Sequence, residues 1–103
     1  MKILITGASG FIGSKIFKYF NDKNFNVYGL IRRKTSINYL KKNNKKLILC
    51  DLNDFNKLDK LIPKKIDIII HAGAYNDQDT NKDIKNAYIT NVFGTRNICR
   101  IAE

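Results

Sequence analysis

Short apolar runs and segments with helical spacing alternate along the 103 residues, and that alternation constrains the fold more than any other feature. Lys2–Thr6 is an apolar run stopped by glycine, long enough for a buried strand. From Phe11, the residues Phe11, Ile12, Ile16, Phe17 and Phe20 recur at helical spacing up to a turn cluster at Asn21–Asn24. Phe25–Ile31 reads as a second strand. Thr35 or Ser36 then caps a short helix containing Ile37, Tyr39 and Leu40, and Leu47–Cys50 is a third strand. Asn53 or Asp54 caps the next helix, with Phe55, Leu58, Leu61 and Ile62 facing inward until Pro63 ends it. Ile66–Ala74 is a fourth strand, apolar on both faces, as a parallel sheet covered by helices on both sides requires. A polar loop over Tyr75–Lys82 leads to a last helix from Asp83 that carries Ile84, Ala87, Tyr88, Asn91, Val92, Thr95, Ile98 and Ala102. Strands alternating with helices imply right-handed crossovers and an α/β fold with a doubly wound parallel sheet.

Composition removes several other classes. With 44% hydrophobic residues the chain is not disordered, and no apolar run approaches the roughly 18 residues of a membrane span. The opening apolar stretch is cut short at Thr6-Gly7 with no cleavage-type sequence after it, so it is not a signal peptide. These features point to a soluble, cytoplasmic protein without a membrane partner. Cys50 and Cys99 show no metal-ligand spacing and read as small buried hydrophobes, and one histidine leaves a zinc site without ligands. The net charge of +10 admits a nucleic-acid partner, but the lysines are scattered rather than gathered on one face. Solvated surface lysines are the favoured reading, with nucleic-acid binding as the lesser one.

The chemistry resides in Thr6-Gly7-Ala8-Ser9-Gly10-Phe11-Ile12-Gly13, between the first strand and the first helix. Gly7 permits the tight turn, Gly10 lets backbone approach a pyrophosphate, and Gly13 lets the helix settle onto the sheet. Amides from Ser9 through Phe11 to Ile12 then face the phosphates from a helix N-terminus. The alternative is an ordinary glycine-rich turn; its position between strand and helix argues for the phosphate cradle. No Gly-Lys-Ser/Thr follows, which excludes a P-loop.

The T-G-x-x-G-x-x-G spacing resembles the extended short-chain dehydrogenase/reductase family, particularly its nucleotide-sugar epimerase, dehydratase and dihydroflavonol-reductase-like members. Three further segments carry the resemblance. Asp51-Leu52, after the third strand, is similar to the family's Asp-Leu/Val element. The resemblance implies that the Asp51 carboxylate accepts the adenine amino group while Leu52 contacts the ring. His71-Ala72-Gly73-Ala74 resembles the element beside the cofactor ribose, with Gly73 where the extended branch more often has alanine. Asn91-Val92-Phe93-Gly94-Thr95-Arg96-Asn97 is similar to the family's N-V-x-G-T-x-N segment, which gives Asn91 a supporting role in the proton relay. The fold implied is a Rossmann-type sheet of four strands in the order 3-2-1-4.

Cofactor preference follows from charge. A carboxylate about 20 residues past the glycine turn would bind the ribose hydroxyls of NAD. Here the second strand ends in Arg32-Arg33-Lys34, with no acid. Arg32 and Arg33 suit a 2′-phosphate, with Ser36 as a further donor, which favours NADP over NAD. No catalytic residue is assignable. The family's Tyr-x-x-x-Lys pair follows the fifth strand, and the one match in this chain, Tyr19 to Lys23, lies at the far end of the first helix. Tyr88 reads as a packing residue and His71 as a strand-end contact. The chain stops where a fifth strand is expected. Residues 1–103 therefore read as the NAD(P)-binding portion, without the substrate domain, of an epimerase, dehydratase or reductase that acts by hydride transfer on a nucleotide sugar, and the chain alone lacks catalysis. The alternative is a non-catalytic NADPH-binding or scaffold module that associates with itself or a partner through the exposed fourth strand.

Overall fold

The computed structural model describes residues 1–32, 46–73 and 83–103. Four strands, β1 (Lys2–Thr6), β2 (Asn26–Ile31), β3 (Leu47–Leu49) and β4 (Ile68–His71), form one sheet in the order β3-β2-β1-β4. Every pairing is parallel. The helices are α1 (Phe11–Asp22), α2 (Phe55–Leu61), α3 (Ile84–Tyr88) and α4 (Thr95–Ala102), with a π-helical turn over Ile89–Gly94 joining the last two. The four-stranded sheet and its strand order are those expected from the sequence.

The period-two alternation of β1 divides the core. Ile3 and Ile5 point to one face, where they meet Ala8, Phe17, Val27 and Ile31 beneath α1. Leu4 points to the other, with Leu30, Cys50, Leu52, Leu58, Ile62 and Ile98 beneath α2 and α4. Both faces of the central strand are therefore covered, and β1 is buried almost throughout. Asp67 sets the register of β4. Its Oδ2 accepts the Lys2 amide at 2.7 Å, and its own amide donates to the Lys2 carbonyl at 2.9 Å. These bonds occupy the start of the apolar run, so β4 begins at Ile68 rather than Ile66.

Caps agree with the sequence where they fall on described residues. Asp54, not Asn53, caps α2 by accepting the Lys57 amide at 3.2 Å. Asp83 caps α3 through the Asn86 amide, also at 3.2 Å. The short helix expected after Thr35 or Ser36 and the loop over 75–82 lie outside the described residues, as do Arg33, Lys34 and Ala74.

Several inward assignments are corrected. Phe11 is 78% exposed and Ile12 64%, because both lie in the first turn of α1, beyond the edge of the sheet. The Phe11 ring is instead met by the Lys15 ammonium, 3.9 Å from its centroid. Leu61 is exposed because α2 turns only Leu58 and Ile62 fully inward. Ile84, Tyr88 and Val92 are exposed as well, since the π-turn rotates the register between α3 and α4. Tyr88 packs edge-on against the Phe93 ring. Cys99 is exposed, one residue past the buried Ile98, whereas Cys50 is buried as expected. β4 lies at the end of the described sheet, which leaves Ile68 exposed and Ile69 and Ile70 only half-buried. Among the described residues no helix is long and apolar enough to cross a membrane, and no cluster of His, Cys, Asp and Glu has the makings of a metal site.

Candidate functional site

The residue after each strand turns toward one groove of about 210 Å³ at the carboxyl edge of the sheet. Its walls carry Gly7, Ser9 and Gly10 after β1, Arg32 after β2, Asp51 and Leu52 after β3, and Ala72 and Gly73 after β4. In this strand order the chain runs outward from β1 to β2 and β3 and then returns to place β4 on the other side of β1, which opens a crevice between β1 and β4.

Steric demands explain the glycine turn. Gly7 has φ +65°, a left-handed conformation, and a Cβ there would lie 2.7 Å from the Ala72 carbonyl oxygen. At Gly13, buried inside α1, a Cβ would stand 2.0 Å from the Gly7 oxygen. The turn is closed by Gly10 N–H donating to the Gly7 carbonyl at 2.9 Å, and Ala8 N–H ties it to the end of β2 at Leu30, 3.1 Å away. Gly10 is the N-cap of α1, with no side-chain cap and no acidic residue in the first turn. The amides of Phe11, Ile12 and Gly13 begin the helix and have no intrahelical acceptor. That end of α1 carries partial positive charge and faces the groove, so the arrangement fits an anionic, phosphate-bearing group.

The opposite wall is held by Asp51 and by Asn97 on α4. Asp51 Oδ1 accepts the Asn53 amide at 2.9 Å; Oδ2 makes no hydrogen bond among the described residues. Asn97 is buried, and its Nδ2 donates to the Leu52 carbonyl at 2.8 Å, pinning the loop after β3. Cys50 lines the groove between them. Burial pushes its thiol pKa up, partly offset by Lys57, so it remains a neutral thiol.

Three groove features had no role assigned from the sequence. Leu30 and Ile31 form its floor, Thr90 in the π-turn lines it, and Thr6 lies beneath it, fully buried. Thr6 Oγ1 accepts the Gly73 amide at 2.9 Å and lies 2.7 Å from His71 Nδ1. The other ring nitrogen, Nε2, is 2.9 Å from Thr95 Oγ1, which donates to the Asn91 carbonyl at 2.7 Å. The expected strand-end contact of His71 is therefore a two-sided bridge. Asn91 is partly buried in the π-turn and does not line the groove. Tyr19 and Lys23 are at the far end of α1, roughly 13 and 20 Å along its axis from Gly10. Lys23 Nζ is 5.4 Å from the Tyr19 ring centroid.

Burial lowers the His71 pKa below its ordinary value of about 6.5. The folded chain then binds fewer protons than the unfolded chain once the pH drops under that value. The His71 contribution is fully present above about pH 6.5 and is lost as the pH falls through the depressed folded value. Melting temperatures measured from pH 8 to pH 5 are expected to fall across the acidic part of that range, and His71→Asn to flatten that fall. An unchanged slope in His71→Asn would contradict the assignment.

A glycine turn and an uncapped helix end at the switch point of a doubly wound parallel sheet define a dinucleotide-type α/β domain. The chain belongs to the NAD dependent epimerase/dehydratase family, whose model matches residues 3–103. It is 31% identical to D-erythronate dehydrogenase of Haemophilus influenzae, over 98% of this chain and 33% of that protein. It is also 31% identical to GDP-6-deoxy-D-talose 4-dehydrogenase of Aggregatibacter actinomycetemcomitans, over 97% of this chain and 30% of that one. In structure it is similar to L-threonine dehydrogenase of Clostridium difficile, with TM-score 0.85, 30% identity, 98% of this chain and 32% of that chain covered. The chain spans about a third of the length of the curated relatives it matches.

Proposed function

We propose that residues 1–103 bind a pyridine dinucleotide in the groove, with its pyrophosphate over the Gly7–Gly13 turn, and that NADP is preferred to NAD. The observation that carries this reading is the uncapped N-terminus of α1, brought against the β4 end by glycines at which a Cβ would collide with backbone. Ser9, Phe11 and Ile12 supply amides for the pyrophosphate, while Gly10, whose own amide closes the turn, lets the backbone approach it. In this reading Asp51 and Leu52 form the adenine end, and Ala72 and Gly73 stand beside the ribose, with Ala74 following them in sequence. Arg32, directly after β2 at the groove, is the first of the basic residues that meet the 2′-phosphate, with Arg33 following it in sequence.

When bound, the cofactor supplies hydride transfer. This chain's residues bind and orient it, while Asn91 supports the proton relay from the π-turn. The substrate class we infer is a nucleotide sugar, in keeping with the GDP-sugar dehydrogenase among the relatives. Turnover belongs to a protein of full family length, because the chain lacks a Tyr-x-x-x-Lys pair near the groove.

The test of cofactor choice is Arg32→Ala. A charge-assisted bond to phosphate is worth about 1.5–3 kcal/mol, so NADPH affinity is expected to fall roughly 10- to 100-fold. NADH affinity should stay within about twofold. Equal losses for both dinucleotides in a calorimetric titration would remove Arg32 from the 2′-phosphate site.

A further inference from the structure

His71 joins two walls of the groove that are far apart in sequence. Hydrogen-bond capacity fixes the direction of every link. The Thr95 hydroxyl has one proton, and it goes to the Asn91 carbonyl at 2.7 Å. Thr95 Oγ1 is then only an acceptor toward His71 Nε2, 2.9 Å away, so Nε2 carries a proton. A neutral imidazole protonated at Nε2 accepts at Nδ1, and the Thr6 hydroxyl, 2.7 Å away, is left to donate. That leaves Thr6 Oγ1 accepting from the Gly73 amide at 2.9 Å, as observed. The chain therefore runs one way, from Gly73 N–H through Thr6, His71 and Thr95 to the carbonyl of Asn91.

We propose that His71 is a positioning residue, held as its Nε2–H tautomer, that locks the Gly73 wall of the groove to the π-turn carrying Thr90 and Asn91. Gly73 and Thr90 both line the groove, yet they belong to β4 and to the segment between α3 and α4. No other described side chain bridges Thr6 and Thr95, so changing one end of the chain alters the other. Insofar as the groove holds a dinucleotide, the consequence for binding rests on the reading above; the lock itself does not.

His71 is the single histidine, so one set of imidazole signals in the full ¹⁵N-labelled chain reports on it without assignment. At pH 7.5 a long-range ¹H–¹⁵N spectrum is expected to show Nε2 protonated and Nδ1 bare. Thr95→Val removes the acceptor. It should shift the ring toward a tautomer mixture and speed amide exchange at Gly73 about fivefold or more. Thr95→Ser, which keeps the hydroxyl, should restore both. If Thr95→Val does not fold, Thr6→Val and Thr6→Ser put the same question from the other end, read at the Asn91 π-turn amides. An Nδ1–H tautomer in the parent chain overturns the proposal. So does a valine variant whose tautomer and amide exchange match the parent. Because the lock positions the groove walls, NADPH affinity should fall about fivefold in Thr95→Val and recover in Thr95→Ser. Failure of the parent to bind any dinucleotide would refute the proposed function while leaving the tautomer and exchange results to decide the lock.

Discussion

Gly13→Ala is expected to destabilise the domain by about 3 kcal/mol, at the upper end of what overpacking costs. The new methyl would stand 2.0 Å from the Gly7 oxygen and 2.7 Å from its carbonyl carbon. Both are backbone atoms, so no rotamer change relieves the overlap, and α1 must lift off the turn by on the order of 1 Å. A domain of this size has a total stability of only about 5–15 kcal/mol, so the loss is a large share of it. Lifting α1 also carries its uncapped N-terminus away from the groove, so dinucleotide binding should weaken with stability. Gly10→Ala is the matched control. A Cβ there meets only the Gly7 oxygen, at 3.3 Å, a distance that a few tenths of an ångström relieve. Its expected cost is about 1 kcal/mol or less. Urea unfolding of both variants checks the ranking, and a Gly13→Ala midpoint equal to that of Gly10→Ala would show that the turn yields more readily than its geometry requires.

The second large effect is expected at Asn97. Its buried Nδ2 is the donor to the Leu52 carbonyl, and the helix carrying it packs against the loop that presents Asp51. Asn97→Leu keeps the same branching of heavy atoms in a bulkier side chain but leaves that carbonyl without its partner, at about 1–3 kcal/mol. For a domain near 100 residues, about 2 kcal/mol corresponds to a Tm lowered by roughly 8–16 °C. Asn97→Asp should cost at least as much, because a carboxylate cannot donate and would face the carbonyl with negative charge in a buried site. Asp51 and Leu52 then lose their anchor, so affinity for the adenine half should fall further than affinity for inorganic phosphate. Melting curves that place Asn97→Leu within 2 °C of the parent would show that the loop is held by apolar packing instead.

The elements that strand and helix periodicity define were legible because their burial is periodic. Ile3, Leu4 and Ile5 alternate between the two sides of the sheet, and Asp54 and Asp83 stand where caps are needed. The glycine turn was legible for a different reason: its three glycines answer separate steric demands at fixed spacing. Periodicity shows that a helix has an apolar stripe but not how far the sheet beneath it extends, which is why Leu61 was placed inward and why Phe11 and Ile12, though at helical spacing, are exposed. The π-turn has no distinct residue pattern, and it moved Ile84, Tyr88 and Val92 out of the core. Thr6, His71, Thr95 and Asn97 show the other limit. A threonine ending a strand and an asparagine inside a helix look unremarkable until the fold brings their partners, from 24 to 67 residues away, within 3 Å.

We place a dinucleotide site at the carboxyl edge of the sheet, built on the N-terminus of α1. Titrating the full ¹⁵N-labelled chain with NADPH and following the backbone amides tests that placement. Shifts are expected at Ser9, Gly10, Phe11 and Ile12, with Asp51 and Gly73 moving along the same isotherm and all saturating at one equivalent. Shifts that are absent up to about 1 mM NADPH, or that gather on the surface lysines of α1 and α2 while Ser9 to Ile12 stay still, would contradict it.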